Sequence, residues 1–364
     1  MRPLLLSLFL AGCTCAPRSA PAVAGVDAGP RFRKVDLHVH TSPGATPRLI
    51  RLMDERGIDV AVNLSGGWPG AGLEESLAAA AKTKGRVVVF ANPPLHLLAY
   101  DLQPGALAKE LVLAHRLGAR GVKLSKALGL GYRNADGSLL EVDDPRLDAL
   151  FEKAGALGMP VSIHTGDPIA FWRAPDQQNE RFDELDAHPG WSYFGTEAPT
   201  WEALFAAYER RVARHPGTAI IGVHFGNAPE LPERVAAMLE KYPNLSVDTA
   251  ARVPELGRKP AEVRKLILRY PDRVLFGTDL GVGEAPEELM LGSTGLLPPQ
   301  PEDVDRFFGA TWRFFETSDE GFLHPTPIQG RWRISGLGLP PEVLRKLYAG
   351  NADRLLAAAA PDAG

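Results

Sequence analysis

The sequence predicts a (β/α)8 barrel of the TIM type, on three observations. From Arg33 onward, short apolar runs alternate with longer amphipathic ones through about eight units, the number such a barrel needs. The apolar runs are nearly continuous, as in Arg86-Val87-Val88-Val89-Phe90, which suits parallel strands buried on both faces. Histidines and an aspartate stand at the C-terminal ends of several runs, the end where barrel enzymes build their sites. An open doubly wound sheet is the alternative, since periodicity alone does not close a sheet. Its dinucleotide-binding version lacks support, because no glycine-rich phosphate fingerprint follows the first strand.

Strands are expected over residues 35–40, 58–64, 86–91, 119–124, 160–164, 219–225, 245–248 and 274–276. Helical periodicity falls between them, over 48–56, 73–84, 104–117, 144–157, 201–214, 229–241 and 260–269, with a last helix over 341–356. Two connections are too long for simple loops. The insertion after strand 5, residues 167–200, carries Trp172, Arg173, Trp191, Tyr193 and Phe194. The insertion after strand 8, residues 281–339, carries Trp312, Phe314, Phe315, Phe322 and Trp332. Both leave the C-terminal rim, so both are expected to form a pocket wall or lid, with packed surface excursions or an oligomer contact as the plainer reading.

The 364 residues are 45% hydrophobic and 23% charged, as in an ordinary globular protein. A net charge of −4 gives no reason to expect nucleic acid as a partner. The only cysteines, Cys13 and Cys15, lie near the N-terminus, so neither disulfides nor a thiolate cluster organise the barrel. Residues 1–12 read as a signal peptide, with Arg2 before a short apolar core over 4–10. That core is too short to span a bilayer. Leu10-Ala11-Gly12-Cys13 resembles the lipobox of bacterial lipoproteins. The resemblance implies lipidation of Cys13 and a membrane-anchored, periplasm-facing protein; Thr14, rather than an aspartate, follows the cysteine. Residues 13–32, rich in Ala, Pro and Gly, read as a flexible tether, and residues 33–358 as the barrel domain.

The chemistry starts at Asp36-Leu37-His38-Val39-His40. Alternate side chains of a strand share a face, so His38 and His40 point the same way, half of a metal site. His164 ends the fifth strand, His224 the sixth, and Asp279 the eighth, in Gly277-Thr278-Asp279. Singly, each reads as a buried polar group or a helix cap. Together, four histidines and a carboxylate on one rim are the donors that zinc-like metals take.

These residues, with the closing Tyr348-Ala349-Gly350-Asn351-Ala352, resemble the amidohydrolase superfamily, in the branch of metal-dependent hydrolases and decarboxylases. The resemblance spans about Val35 to Leu356. It implies that His38, His40, His164 and Asp279 bind one divalent metal, zinc first, and that His224 and Asp279 are catalytic. Lys123, at the end of the fourth strand, is where binuclear members carry a carboxylated lysine bridging two metals. Unmodified, it is a cation near the metal that can hold a substrate carboxylate, a role also open to Lys126. Trp172, Arg173 and Arg252 are candidate substrate contacts, although solvation is the ordinary fate of Arg173, Arg181 and Arg252. The opening motif also resembles PHP-type phosphoesterases, but Asp279-Leu280-Gly281 lacks their closing histidine.

The reaction expected is hydrolysis of an ester, lactone or amide bond in a small molecule by metal-activated water. Non-oxidative decarboxylation of an aromatic or enolic acid is the alternative on the same residues. A silent binding lipoprotein is the third reading; His224 and Asp279 speak against it, since binding alone needs no acid or base. The sequence leaves homo-oligomerisation open.

Overall fold

A computed structural model describes residues 31–100 and 105–360. The signal peptide, Cys13 and nearly all of the tether lie outside the described residues. Eight short strands follow in order: β1 Val35–Thr41, β2 Val60–Asn63, β3 Val87–Val89, β4 Val122–Leu124, β5 Val161–Ile163, β6 Ile220–Gly222, β7 Leu245–Asp248 and β8 Val274–Leu275. Parallel ladders join β1 to β3 and β4 to β8. Two seams close the ring. Ala91 bridges to Val122, with Ala91 N–H donating to Gly121 O at 2.8 Å and Lys123 N–H to Ala91 O at 2.9 Å. On the other side Leu37 N–H donates to Phe276 O at 3.0 Å and Asp279 N–H to His38 O at 2.9 Å. The sheet is a closed barrel, so the open doubly wound arrangement does not apply.

The outer helices form where apolar residues recur every three or four positions. Trp201–Arg214 buries Trp201, Leu204, Phe205, Tyr208 and Val212, and Thr200 caps it by accepting the Ala203 N–H at 3.2 Å. Thr46–Arg56 buries Leu49 and Met53 and stops at Gly57, whose φ of 68° suits glycine. These faces and the outward side chains of the strands make one continuous apolar core. A second cluster joins Val35, Leu37, Val62, Ile221 and Leu275 with Ala349 and Ala352 of the C-terminal helical run. Residues of β2 and β6 meet only across the barrel, so this cluster is its interior. Among the described residues no helix is long and apolar enough to cross a membrane.

Four expectations change. The pairing of β1 with β2 shifts register between Asp36 and Val39, so Leu37 joins the interior cluster and Val39 the outer one. Simple alternation fails there because the extra residue re-aims the side chains. The sixth strand ends at Gly222, before His224. The long connection after β8 is mostly core. After β9 Leu280–Val282, which pairs with β1, and β10 Leu289–Leu291, the chain forms a helix over Pro301–Glu316. It buries Phe307, Phe308, Phe314 and Phe315. Phe315 and Trp312 pack, mostly edge to face, against Phe276 and Tyr348. These aromatics seal the outside of the barrel and do not line its mouth. The last helix is also broken, into Pro341–Arg345, a wider turn over Lys346–Gly350, and Asn351–Ala358.

Candidate metal centre and active site

The site is assembled by a turn that interrupts the eighth strand. Gly277 brings this turn against β1 so closely that a Cβ there would lie 3.0 Å from His38 Cβ. Asp36 holds the turn in place: its carboxylate accepts the Thr278 hydroxyl at 2.5 Å and the Thr278 N–H at 3.0 Å. Burial pushes the Asp36 carboxyl up to about 7, against the hydrogen bonds from Thr278 and His38. Asp279 then adopts φ 61°, a left-handed conformation that a non-glycine residue takes at a cost of about 1–3 kcal/mol. The cost places its carboxylate between the two histidines of β1.

Asp279 Oδ1 lies 3.4 Å from His38 Nε2 and 3.3 Å from His40 Nε2. The other nitrogens of both rings are engaged: His38 Nδ1 with Asp248 Oδ2 at 2.9 Å, and His40 Nδ1 with Ser65 Oγ at 2.7 Å. One ligand atom from each of His38, His40 and Asp279 falls within 4.8 Å of the others. Burial, then the Lys123 charge, holds His38 well below the ordinary histidine pKa, so its ring is neutral. Burial pushes Asp279 up, but the surrounding imidazoles outweigh it and keep the carboxylate ionised. Two imidazole Nε2 atoms and a carboxylate are a donor set that fits a zinc-like ion. Lys123 Nζ stands 3.2 Å from His38 Nε2. Burial, partly offset by Asp279 and Asp248, draws its pKa down to about 8.

His224 is positioned by a backbone device. His224, Phe225, Gly226 and Asn227 all have φ between 54° and 69°, a left-handed run that glycine and asparagine adopt cheaply and the other two do not. A Cβ on Gly222 would sit 2.1 Å from the Tyr208 hydroxyl, so this exit from β6 requires glycine. Asp248 Oδ1 accepts the His224 N–H at 2.7 Å, and Asn227 Oδ1 accepts the Thr165 N–H at 3.0 Å. The imidazole Nδ1 is 2.8 Å from Ala250 O; because a carbonyl only accepts, Nδ1 carries the proton and Nε2 the lone pair. Burial and the Arg252 charge hold the ring neutral. Its centroid is 5.0 Å from that of His38 and 4.3 Å from that of His164.

The structure gathers His38, His40 and Asp279 into one group, with His224 and Lys123 against it. His164 adjoins that group through His224, but its Nε2 faces Gly166 O at 3.1 Å and Asp167 Oδ1 at 3.6 Å. Lys126 is taken up by Asp167 Oδ2 at 2.6 Å, which also accepts the Tyr193 hydroxyl at 2.7 Å. Arg252 is buried beside His224, whereas Arg173 is exposed. Trp172 is half-buried; its indole N–H donates to Pro199 O at 2.8 Å and its ring packs on Tyr193 at 4.5 Å. Arg181 is fully buried with Glu184 at 2.7 Å and with Glu255, contrary to the solvated role expected of it. Glu184 of the connection after β5 and Glu255 after β7 together enclose the guanidinium. On the far side, His40 opens into a groove of about 810 Å³ lined by Thr41, Ser65, Glu75, Met290 and Thr294 among others. Asp248 and Ser65 are site residues absent from the sequence analysis, and Asp36 enters it only as part of the opening motif, without a role. Asp248 closes an apolar strand just as His164 and Asp279 do, so the signal was there.

The amidohydrolase family model matches residues 35–357, and the chain belongs to that family. It is a metal-dependent enzyme of the hydrolase and decarboxylase kind. Two solved structures share the fold. An uncharacterised TIM-barrel protein from Bordetella bronchiseptica aligns with a TM-score of 0.51 and 17% identity, over 90% of this chain and 99% of that one. The dihydroorotase of Campylobacter jejuni aligns with a TM-score of 0.50 and 14% identity, over 90% of this chain and 83% of that one. No curated protein matches the sequence.

Proposed function

We propose that the protein hydrolyses an ester, lactone or amide bond of a small molecule, with one divalent ion, zinc by its donor set, held by His38, His40 and Asp279 and completed by His164. The observation that carries this reading is the convergence of two imidazole Nε2 atoms on one ionised carboxylate, with a neutral His224 beside them. When bound, such an ion polarises a carbonyl oxygen and supplies hydroxide near neutral pH. The Asp279 carboxylate is placed to take the proton of the attacking water. His224 receives that proton from Asp279 on its Nε2 lone pair and gives it to the leaving group as the bond breaks. The Ala250 carbonyl fixes the ring for both steps. In this reading Lys123 is an unmodified amine beside His38 and the site holds one ion.

The test joins metal content to product analysis. Elemental analysis of unstripped protein is expected to give about one equivalent of zinc per chain; two equivalents with a carboxylated Lys123 would overturn the single-ion assignment. Turnover on a panel of esters, lactones and amides is expected to release acid and incorporate solvent oxygen. Carbon dioxide release from an aromatic or enolic acid, without such incorporation, would make the enzyme a decarboxylase.

The envelope location rests on Leu10-Ala11-Gly12-Cys13. The Cys13→Ser variant is expected to lose labelling by a fatty-acid probe and to accumulate as precursor. Equal labelling of variant and native protein would end the lipoprotein reading.

A further inference from the structure

We infer that Asp248 is the positioning residue of the metal centre: Oδ2 fixes His38 in the tautomer that ligates through Nε2, while Oδ1 holds the His224 turn. The inference rests on the metal-dependent reading above and assigns a role to a residue outside the ligand set.

Asp248 ends β7, and its side chain, like that of His38, is 1% exposed. Its two oxygens do different work. Oδ1 accepts two backbone N–H groups, from His224 at 2.7 Å and from Ala250 at 3.2 Å. Those two bonds tie down the entry to the left-handed run and the loop whose carbonyl orients the His224 ring. Oδ2 is left for His38 Nδ1 at 2.9 Å. Where Asp248 is ionised, Oδ2 only accepts, so Nδ1 bears the proton and the lone pair is on Nε2. At the opposite edge Nε2 has the donor Lys123 Nζ at 3.2 Å as its nearer neighbour, ahead of Asp279 Oδ1 at 3.4 Å. A ligating imidazole whose other nitrogen donates to a carboxylate is fixed in orientation and made more basic toward the metal. One carboxylate therefore sets both the ligand of β1 and the acid/base after β6, two groups far apart in sequence.

Asp248→Asn separates the two functions. The amide oxygen can keep the place of Oδ1 and its two N–H donors, so the turn persists. The NH2 then occupies the place of Oδ2 and donates to His38 Nδ1, which drives the ring to the tautomer protonated at Nε2. We expect an unchanged far-ultraviolet spectrum and a roughly 10–100-fold weaker zinc affinity by chelator competition. In metal-free protein labelled with 15N-histidine, the His38 resonances, assigned with His38→Gln, are expected to exchange the protonated nitrogen from Nδ1 to Nε2. Zinc affinity equal to that of the native chain, or His38 still protonated at Nδ1, would overturn the inference. A native chain that binds no zinc would instead fail the metal reading, and the nitrogen resonances would still decide the role of Asp248. Asp248→Ala, which removes both oxygens, is expected to lose affinity and destabilise the His224 turn together; loss of stability without change in either zinc affinity or tautomer would reduce Asp248 to a structural prop.

Discussion

His224→Asn is expected to retain its bound metal while turnover falls by roughly 10²–10⁴-fold, the usual contribution of a general acid/base. The ring lies beside the ligand group, but its Nδ1 is committed to Ala250 O and its backbone to Asp248. Asparagine adopts the left-handed conformation of this position readily, so the turn survives the substitution. What disappears is the Nε2 lone pair. The paired measurement is metal content and single-turnover rate for His224→Asn and His38→Ala, the latter losing both together. Loss of half or more of the metal in His224→Asn would make His224 a ligand, consistent with its ligand atom lying within 4.8 Å of those of His38 and Asp248. Full retention of activity would remove its acid/base role and leave the proton transfers to Asp279.

Arg181→Ala is expected to lower the unfolding free energy by about 3–5 kcal/mol, the cost of stranding one side of a buried ion pair. Arg181, Glu184 and Glu255 are all nearly inaccessible, with side chains 1%, 4% and 2% exposed. Burial draws the Arg181 pKa down, and the Glu184 carboxylate opposes that. Glu184 also accepts the Ser293 hydroxyl at 2.5 Å. The cluster thus fastens the connection after β5 to the segment Val253–Leu256 after β7 and to the connection after β8. Without the guanidinium, two carboxylates face each other in a dry site. Urea unfolding with an unchanged slope would report the loss cleanly; a decrease below about 1 kcal/mol would show that water reaches the pair, as at a surface bridge.

The barrel was legible because each strand is a separate apolar run, but closure was not, since it depends on the Ala91 and Leu37 seams rather than on any pattern within a run. The grouping of His38, His40 and Asp279 was legible because they interrupt apolar runs with residues that apolar strands do not need. His224 was found for the same reason, yet the apolar Val223 and Phe225 around it concealed that the strand had already ended at Gly222. The fates of Arg181 and Arg252 were hidden because burial of a charge depends on partners that are distant in sequence. Trp312, Phe314 and Phe315 misled by composition. Their neighbours Val304, Phe307, Phe308 and Thr311 complete a helical spacing that assigns them to the core.

The partial exposure of His40 gives the metal centre a direction. His38 is closed off at 1% and Asp279 is 15% exposed, while the His40 side chain reaches 31% at the head of the groove. Among His38, His40 and Asp279 the His40 side chain is the most exposed, so the groove past Ser65 and His40 is one approach to the centre. A molecule resting in this groove is expected to slow the removal of an ion at His40 by a chelator. Asp248 and the His224 turn, by contrast, are buried and form the closed side of the centre.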